Sequence, residues 1–187
     1  MKRNIIYQIA VILSILVFQS CSNEQVLHKN ITGNANEMVV VISDESWNGK
    51  PGEVLRETLA QQHIALPQSE PIFDLINVPH AGFAKIFRST RNIIQTTISS
   101  NIDSAAVIFK DDVWAYPQAT VKIEAKNAEQ FVDIFTKNKD KIISYFISAE
   151  KERLTMNYKK YYEKLVYNTL NEDFGVTMHV PPGFAIA

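Results

Sequence analysis

The stretch Met38-Val39-Val40-Val41-Ile42 decides the fold of this chain. Five apolar residues in succession, four of them β-branched, leave no polar face along the run. This pattern predicts a strand that is buried on both sides. A strand of this kind lies inside a sheet that other elements cover, so we place residues 38–42 in the sheet of a folded domain.

The segments after this strand alternate between strand-like and helical patterns. Ser43–Ser46 ends the strand, and Trp47-Asn48-Gly49 is predicted to turn the chain. Pro51-Gly52 opens a predicted helix from Glu53 to about Gln62. The remaining predicted elements before residue 127 are a strand over 72–78, a short helix over 79–87, and strands over 91–99, 104–110 and 118–126. The short connections between the last three strands predict antiparallel neighbours.

The C-terminal third is mainly helical in pattern. Asn127 with Gln130 three positions on predicts a helix start, and 138–140 is predicted to break or kink that helix. A long helix rich in Tyr and Lys then runs from Lys141 to about Leu170, followed by a last strand over 174–180. We interpret its lysines as lying over the rim of an amphipathic helix, with an interaction surface as the alternative. The predicted fold is α+β, with a mainly antiparallel sheet of about five or six strands and helices on one face.

The first 21 residues have the pattern of a lipoprotein signal. Two basic residues precede an apolar core of 14 residues, 5–18, which is shorter than the roughly 20 residues needed to span a bilayer. Ser20 is a small residue before Cys21, the only cysteine. We interpret residues 1–20 as a signal peptide and Cys21 as an acylated amino terminus, which makes membrane lipid the first predicted partner. A soluble exported protein and an uncleaved anchor are the alternatives.

The residues after Cys21 bear on location and domain organisation. Residues 21–37 are polar and predict a tether, and 38–187 then form a single α+β domain. Ser22 is not the aspartate that retains lipoproteins in the inner membrane, so we expect the outer membrane. Only one acid lies within 22–25, which favours the periplasmic face over the cell surface.

Composition excludes some classes of partner. The chain has 19 basic and 20 acidic residues, and removing residues 1–20 leaves 17 basic residues and a net charge of −3. That charge is too small and of the wrong sign to attract nucleic acid. With Cys21 acylated, no disulfide can form, so the domain must be held together by packing alone.

Four segments carry a resemblance to a known family: residues 37–42 with Trp47, residues 66–73, residues 83–93 and residues 114–118. Together they resemble an uncharacterised Bacteroidetes lipoprotein family, domain of unknown function 4837. The resemblance covers about residues 37–187. It implies a cell-envelope location and relatives about twice as long, so this chain would be a truncated form, the N-terminal part. The family has no assigned reaction, and the resemblance implies no catalytic residue.

The best candidate binding surface consists of aromatic, proline and amide side chains near predicted strand ends. Trp and Tyr combine an apolar face with a polar tip, which suits sugar or peptide ligands. The surface comprises Trp47, Gln68, Glu70, Trp114, Tyr116 and Gln118, with Pro67, Pro71 and Pro117 beside them. The alternative is that these aromatics fill the ends of the sheet.

Catalytic and metal-binding patterns are weak. The four histidines are far apart in the sequence, so we predict no metal site, and there is no phosphate-binding loop or dinucleotide motif, so we predict no cofactor. Carboxylate catalysis could use Glu70 with an acid from 103–112, although Asp111-Asp112 also fits a turn. Arg91, which opens a strand, could bind a carboxylate or serve the fold.

The sequence therefore predicts a lipid-anchored cell-envelope protein that is a non-enzymatic binding or structural component. The predicted partner is an envelope protein or glycan. The alternative is an envelope glycan or peptide hydrolase that uses paired carboxylates.

Overall fold

The structure is a computed structural model that describes residues 29–63 and 67–186. The predicted signal peptide, Cys21 and the tether up to residue 28 lie outside the described residues. The described part begins with a short strand, Lys29–Asn30, inside the segment predicted to be a tether.

Within the described residues, seven strands form two sheets. They are β1 (Lys29–Asn30), β2 (Glu37–Val41), β3 (Asp74–Val78), β4 (Asn92–Ile98), β5 (Ala106–Asp111), β6 (Ala115–Tyr116) and β7 (Ala119–Ala125). The main sheet has the order β3-β2-β4-β7-β5, and β1 pairs with β6 in a small parallel sheet. Four strands run parallel to one another, namely β3, β2, β4 and β7. The edge strand β5 pairs antiparallel with β7.

The prediction of a mainly antiparallel sheet is wrong, because the sheet is mixed and most of its pairings are parallel. β7 inserts between β4 and β5, pairing Asn92 with Ala119 on one side and Asp111 with Ala119 on the other. The short connection from β4 to β5 therefore joins strands that run in opposite directions but are not neighbours. The α+β class and the strands near residues 38–42, 72–78, 91–99, 104–110 and 118–126 are confirmed.

In the part of the chain that the structure describes, five helices accompany the strands, with a 3-10 turn at His80–Gly82. They are α1 (Asp44–Asn48), α2 (Lys50–Leu59), α3 (Lys85–Arg88), α4 (Ala128–Lys160) and α5 (Lys164–Phe174). α1 replaces the predicted turn, because the Ser43 side chain accepts a hydrogen bond from Ser46 N and caps a helix. The predicted helix over 79–87 is divided between the 3-10 turn and α3.

The predicted long C-terminal helix is present, but its bounds differ. The Asn127 side chain caps α4 by accepting from Gln130 N, as predicted. The predicted break at 138–140 is wrong: the Asn138 side chain donates to the Ile134 carbonyl and α4 continues to Lys160. The predicted strand over 174–180 is also wrong, because Phe174 ends α5 and Gly175 follows in the left-handed conformation.

The main sheet is covered on both faces, as the run at 38–42 predicted. Alternate residues of β2 point to opposite sides. One face holds Met38 and Val40 in a cluster with buried residues of α2 and α4, among them Leu55 and Phe146. The other face holds Val39 and Val41 in a cluster with Val78, Ile93, Phe83, Phe87 and Trp114. α2 and α4 therefore share one face, and the segment containing α3 covers the other.

α4 is too long for the sheet it packs on. Its 33 residues span about 50 Å at 1.5 Å per residue, whereas a seven-residue strand spans about 23 Å. α4 begins just after the carboxyl end of β7 and runs back across the sheet, where Phe131, Phe135, Ile142 and Phe146 are buried. Its second half consequently extends past the amino-terminal edge of the parallel strands.

Candidate ligand-binding site

A buried ion network joins α4 to the amino-terminal edge of the sheet. The Glu150 carboxylate accepts hydrogen bonds from Arg91 Nη2 and Asn92 Nδ2, both at 2.7 Å. It also accepts from the backbone N–H of Asn36 at 3.3 Å. Arg153 Nη2 lies 3.2 Å from the same carboxylate and donates to Asn92 Oδ1. We call these side chains the Glu150 network.

The Glu150 network carries two positive charges and one negative charge. Only 6% of the Arg153 side chain is exposed, and only 12% of Glu150. Burial lowers the pKa of the Arg153 guanidinium, and the charge of Glu150 opposes that shift. Arg153 Nη1 donates to the Pro117 carbonyl at 3.1 Å, which ties the helix to the segment before β7. The network thus fixes α4 on the sheet edge and leaves a net positive charge there.

A cavity of about 760 Å³ lies beside this network. The residues just before the parallel strands contribute to it: Asn36 before β2, Ile72 before β3, Arg91 before β4 and Pro117 before β7. The overhanging half of α4 supplies the facing wall. We call this space the sheet-edge cavity. Its size lies within the range of about 300–1,000 Å³ that is usual for small-molecule sites.

The α4 wall of the sheet-edge cavity combines apolar and basic side chains. The side chains that line the cavity, one of them acidic, recur at helical spacing along one side of α4 and its C-terminal cap: Ile147, Glu150, Lys151, Leu154, Asn157 and Tyr161. Leu154 and Tyr161 are about half exposed, at 51% and 53%, which is unusual for large apolar side chains that line a cavity of the fold. Lys160 Nζ lies 5.0 Å from the centre of the Tyr161 ring. This wall can therefore offer both apolar contact and positive charge.

A second, smaller cavity of about 200 Å³ contains acidic side chains. Asp111, Asp112 and Glu152 line it. Asp111 accepts a hydrogen bond from the Tyr145 hydroxyl at 2.7 Å, and burial, with this carboxylate, raises the pKa of Tyr145. Asp112 accepts from the backbone N–H of Gln118 at 2.8 Å. Asp111 therefore ties β5 to α4, and Asp112 holds the β5–β7 connection.

The predicted aromatic surface is not brought together as one surface. Trp47 packs with the cluster under α2 and α4, where the Arg56 guanidinium lies 4.7 Å from its ring centre. Trp114 packs with the cluster on the opposite face of the sheet, 5.5 Å from Phe83. The two tryptophans thus plug opposite faces of the sheet. Of the predicted residues, Tyr116 lines the sheet-edge cavity and is half exposed.

The three polar members of the predicted surface have different environments. Gln118 is buried, and its amide donates to the carbonyls of Arg88 and Thr90 while its oxygen accepts from Trp114 N. Gln68 and Glu70 are exposed in the connection before β3 and do not line either cavity. Gln118 is therefore a structural residue.

Sequence reasoning missed the residues of the α4 wall. The Tyr/Lys pattern of this helix was a usable signal, but it predicted lysines over the rim of a packed helix. Arg91 was predicted to bind a carboxylate at a site or to serve the fold, and its ion pair with Glu150 is a contact within the fold. Among residues 29–63 and 67–186, no three His, Cys, Asp or Glu side chains are grouped to hold a metal ion, and no helix could cross a membrane.

Comparison with protein families corrects the predicted membership. A family described as "Domain of unknown function (DUF8532)" matches residues 31–159. The chain belongs to this family. The resemblance to domain of unknown function 4837 is therefore wrong, and the location and length that it implied do not carry over. The DUF8532 match spans the whole Glu150 network and most of the sheet-edge cavity. No curated protein and no solved structure gives a significant match.

Proposed function

We propose that this protein is a lipid-anchored, non-enzymatic binding protein of the cell envelope, and that the sheet-edge cavity is its ligand site. The observation that carries the proposal is the cavity itself, a space of about 760 Å³. Apolar side chains of α4 and the strand ends surround it, with basic groups beside them. Binding sites typically combine apolar walls with a few polar groups that fix the orientation of the ligand.

The rigid support of the cavity favours a binding role. The Glu150 network fixes α4 to the starts of β2 and β4, and packing on the sheet holds the first half of the helix. A site mounted on rigid elements loses less entropy when it binds a ligand. The overhanging half of α4 can therefore expose Leu154 and Tyr161 without loss of the fold.

The acids predicted for the alternative hydrolase, Glu70 and one from 103–112, do not line a common cavity. Paired carboxylates must both face a substrate. The two aspartates 111 and 112 accept hydrogen bonds from Tyr145 and Gln118, and Glu70 lies outside the lining of both cavities. We therefore propose the binding role and not the hydrolase.

The proposed location is the outer membrane, where acylated Cys21 anchors the protein, and the periplasmic face is favoured over the cell surface. Replacing Cys21 with alanine is expected to release the protein from the membrane fraction, because two or more acyl chains supply stable anchoring. Ultracentrifugation followed by immunoblotting measures this. Mature protein that stays in the membrane fraction after Cys21→Ala would contradict the lipid anchor, and salt washing of that fraction is the control for loose association.

The ligand-site proposal is tested by photo-cross-linking in native membranes. p-Benzoylphenylalanine in place of Leu154 is expected to form an adduct with the occupant of the cavity. The matched control places the same group at Leu165, an apolar residue of α5 that is 70% exposed and lies outside the cavity lining. Adduct formed at 154 and not at 165, identified by mass spectrometry, supports the proposal. Equal labelling at both positions would show only general surface contact and would contradict it.

A further inference from the structure

We infer that the ligand is a single-chain amphiphile with an anionic head group, such as a long-chain carboxylate from the membrane. This inference rests on the proposed function, since it assumes that the sheet-edge cavity is the ligand site. It adds the chemical class of the ligand and the source from which it is taken.

The apolar part of the ligand follows from the walls. Ile31 and Ile72 line the sheet side, and Ile147, Leu154 and Met156 line the helix side. These aliphatic side chains lack hydrogen-bonding groups, so they favour an aliphatic chain over a sugar, which needs polar partners for its hydroxyls. Burial of apolar ligand surface against them would drive binding at about 25 cal/mol per Å².

The anionic head group follows from the charge of the lining. Arg91, Lys151, Arg153 and Lys160 are basic, and within the described residues Glu150 is the one acid that lines the cavity. Glu150 is already saturated by the donors of its network. Since both arginines are also held in that network, the two lysines are the cations best placed to meet an incoming anion. Both lysines are exposed, so water and salt partly screen such a contact.

The source of the ligand follows from the distance to the proposed anchor. Seven residues, 22–28, lie between Cys21 and Lys29, and the eight Cα-to-Cα steps that join the two reach at most about 28 Å when fully extended. Lys29–Asn30 pairs with Ala115–Tyr116, and Tyr116 lines the cavity, as does Ile31. With Cys21 acylated, Lys29, whose strand pairs beside the cavity, would lie within about 28 Å of the bilayer surface. A membrane amphiphile would therefore be the most concentrated molecule of suitable chemistry near the opening of the cavity.

The test uses the full lipidated chain in native membranes. The probe is a 12-carbon carboxylic acid that carries a photoreactive diazirine and an alkyne tag, and the matched probe is the corresponding alcohol, which has no charge. Labelling is measured against rising concentrations of unlabelled dodecanoate, and the labelled peptide is located by mass spectrometry. We expect labelling within residues 147–161 and stronger labelling by the acid than by the alcohol.

Charge reversal on α4 separates a specific head-group contact from general charge effects. The half-competing concentration is the concentration of unlabelled dodecanoate that halves labelling by the acid probe. The variant Lys151→Glu with Lys160→Glu is expected to raise it about tenfold, equivalent to ~1.4 kcal/mol. The control Lys139→Glu with Lys159→Glu makes the same charge change at two exposed lysines of α4 outside the cavity lining. It is expected to leave the half-competing concentration within twofold, which is well under that tenfold step.

The outcomes separate this inference from the proposed function. Equal labelling by acid and alcohol, or equal effects of the two lysine pairs, would overturn the anionic head group. A peptide, or residues 21–28 of this chain, found as the adduct at position 154 would overturn the amphiphile while leaving the cavity as a binding site. Failure of both the probe labelling and the adduct at 154 would instead reject the proposed function.

Discussion

Replacing Glu150 with alanine is expected to lower the free energy of unfolding by about 3–5 kcal/mol, the usual cost of leaving a buried charge without its partner. The Glu150 carboxylate is the one acid of the network and accepts from Arg91, Asn92 and the backbone of Asn36. Without it, Arg91 and Arg153 face each other across the sheet edge with no neutralising charge. Urea denaturation measured by circular dichroism gives the change directly.

Two further variants show whether the loss comes from the network. Glu152→Ala removes an exposed carboxylate of the same helix and is expected to change stability by less than about 0.5 kcal/mol. Glu150→Ala combined with Arg153→Ala removes one charge of each sign and leaves Arg91, and it should destabilise by less than the sum of the two single changes. Additive effects, or a small loss for Glu150→Ala alone, would show that the ion network does not hold α4 to the sheet.

Replacing Gly52 with alanine is expected to destabilise the protein by about 3 kcal/mol, at the upper end for overpacking. Gly52 is buried in α2, where the chain passes very close to α1. A Cβ atom at this position would overlap the Trp47 carbonyl oxygen and lie 2.5 Å from the carbonyl carbon. Because these are backbone atoms, no side-chain rotation relieves the clash, and α1 must shift relative to α2.

Gly82→Ala is the matched control for the glycine prediction. The nearest atoms to a Cβ at Gly82 are 3.6 Å away, in ordinary van der Waals contact, and the residue is exposed. We expect its free energy of unfolding to stay within about 0.5 kcal/mol of the unchanged protein. Thermal melts of both variants test the pair. A Gly52→Ala protein as stable as Gly82→Ala would mean that α1 and α2 do not meet this closely.

The five strands of the main sheet were predictable from sequence, but their order was not, and the short strands β1 and β6 were not predicted. Local apolar patterning placed β2, β4 and β7 within one or two residues of their observed bounds. Neighbours in a sheet are set by non-local pairing, and the insertion of β7 between β4 and β5 leaves no local pattern. Short connections indicate antiparallel direction, and β4 and β5 do run in opposite directions. The error was to assume that strands close in sequence also pair.

The candidate site was less predictable than the fold. Aromatic residues near strand ends suggested one surface, but residue type does not tell which face of a sheet a side chain covers, and Trp47 and Trp114 lie on opposite faces. The Tyr/Lys pattern of the long helix was visible. The helix extends past the sheet because it starts at Ala128 and continues without interruption to Lys160. The predicted break at 138–140 divided it into two helices, so the overhang was not predicted.

The most direct test of the central claim, that the sheet-edge cavity is a ligand site, is the yield of photo-adduct at position 154 relative to position 165 in native membranes. Both positions replace an exposed leucine on a helix, so they differ mainly in whether they line the cavity. We predict one discrete adduct at 154, several-fold above the yield at 165, that excess dodecanoate suppresses. The same yield at both positions, with no effect of dodecanoate, would contradict the claim.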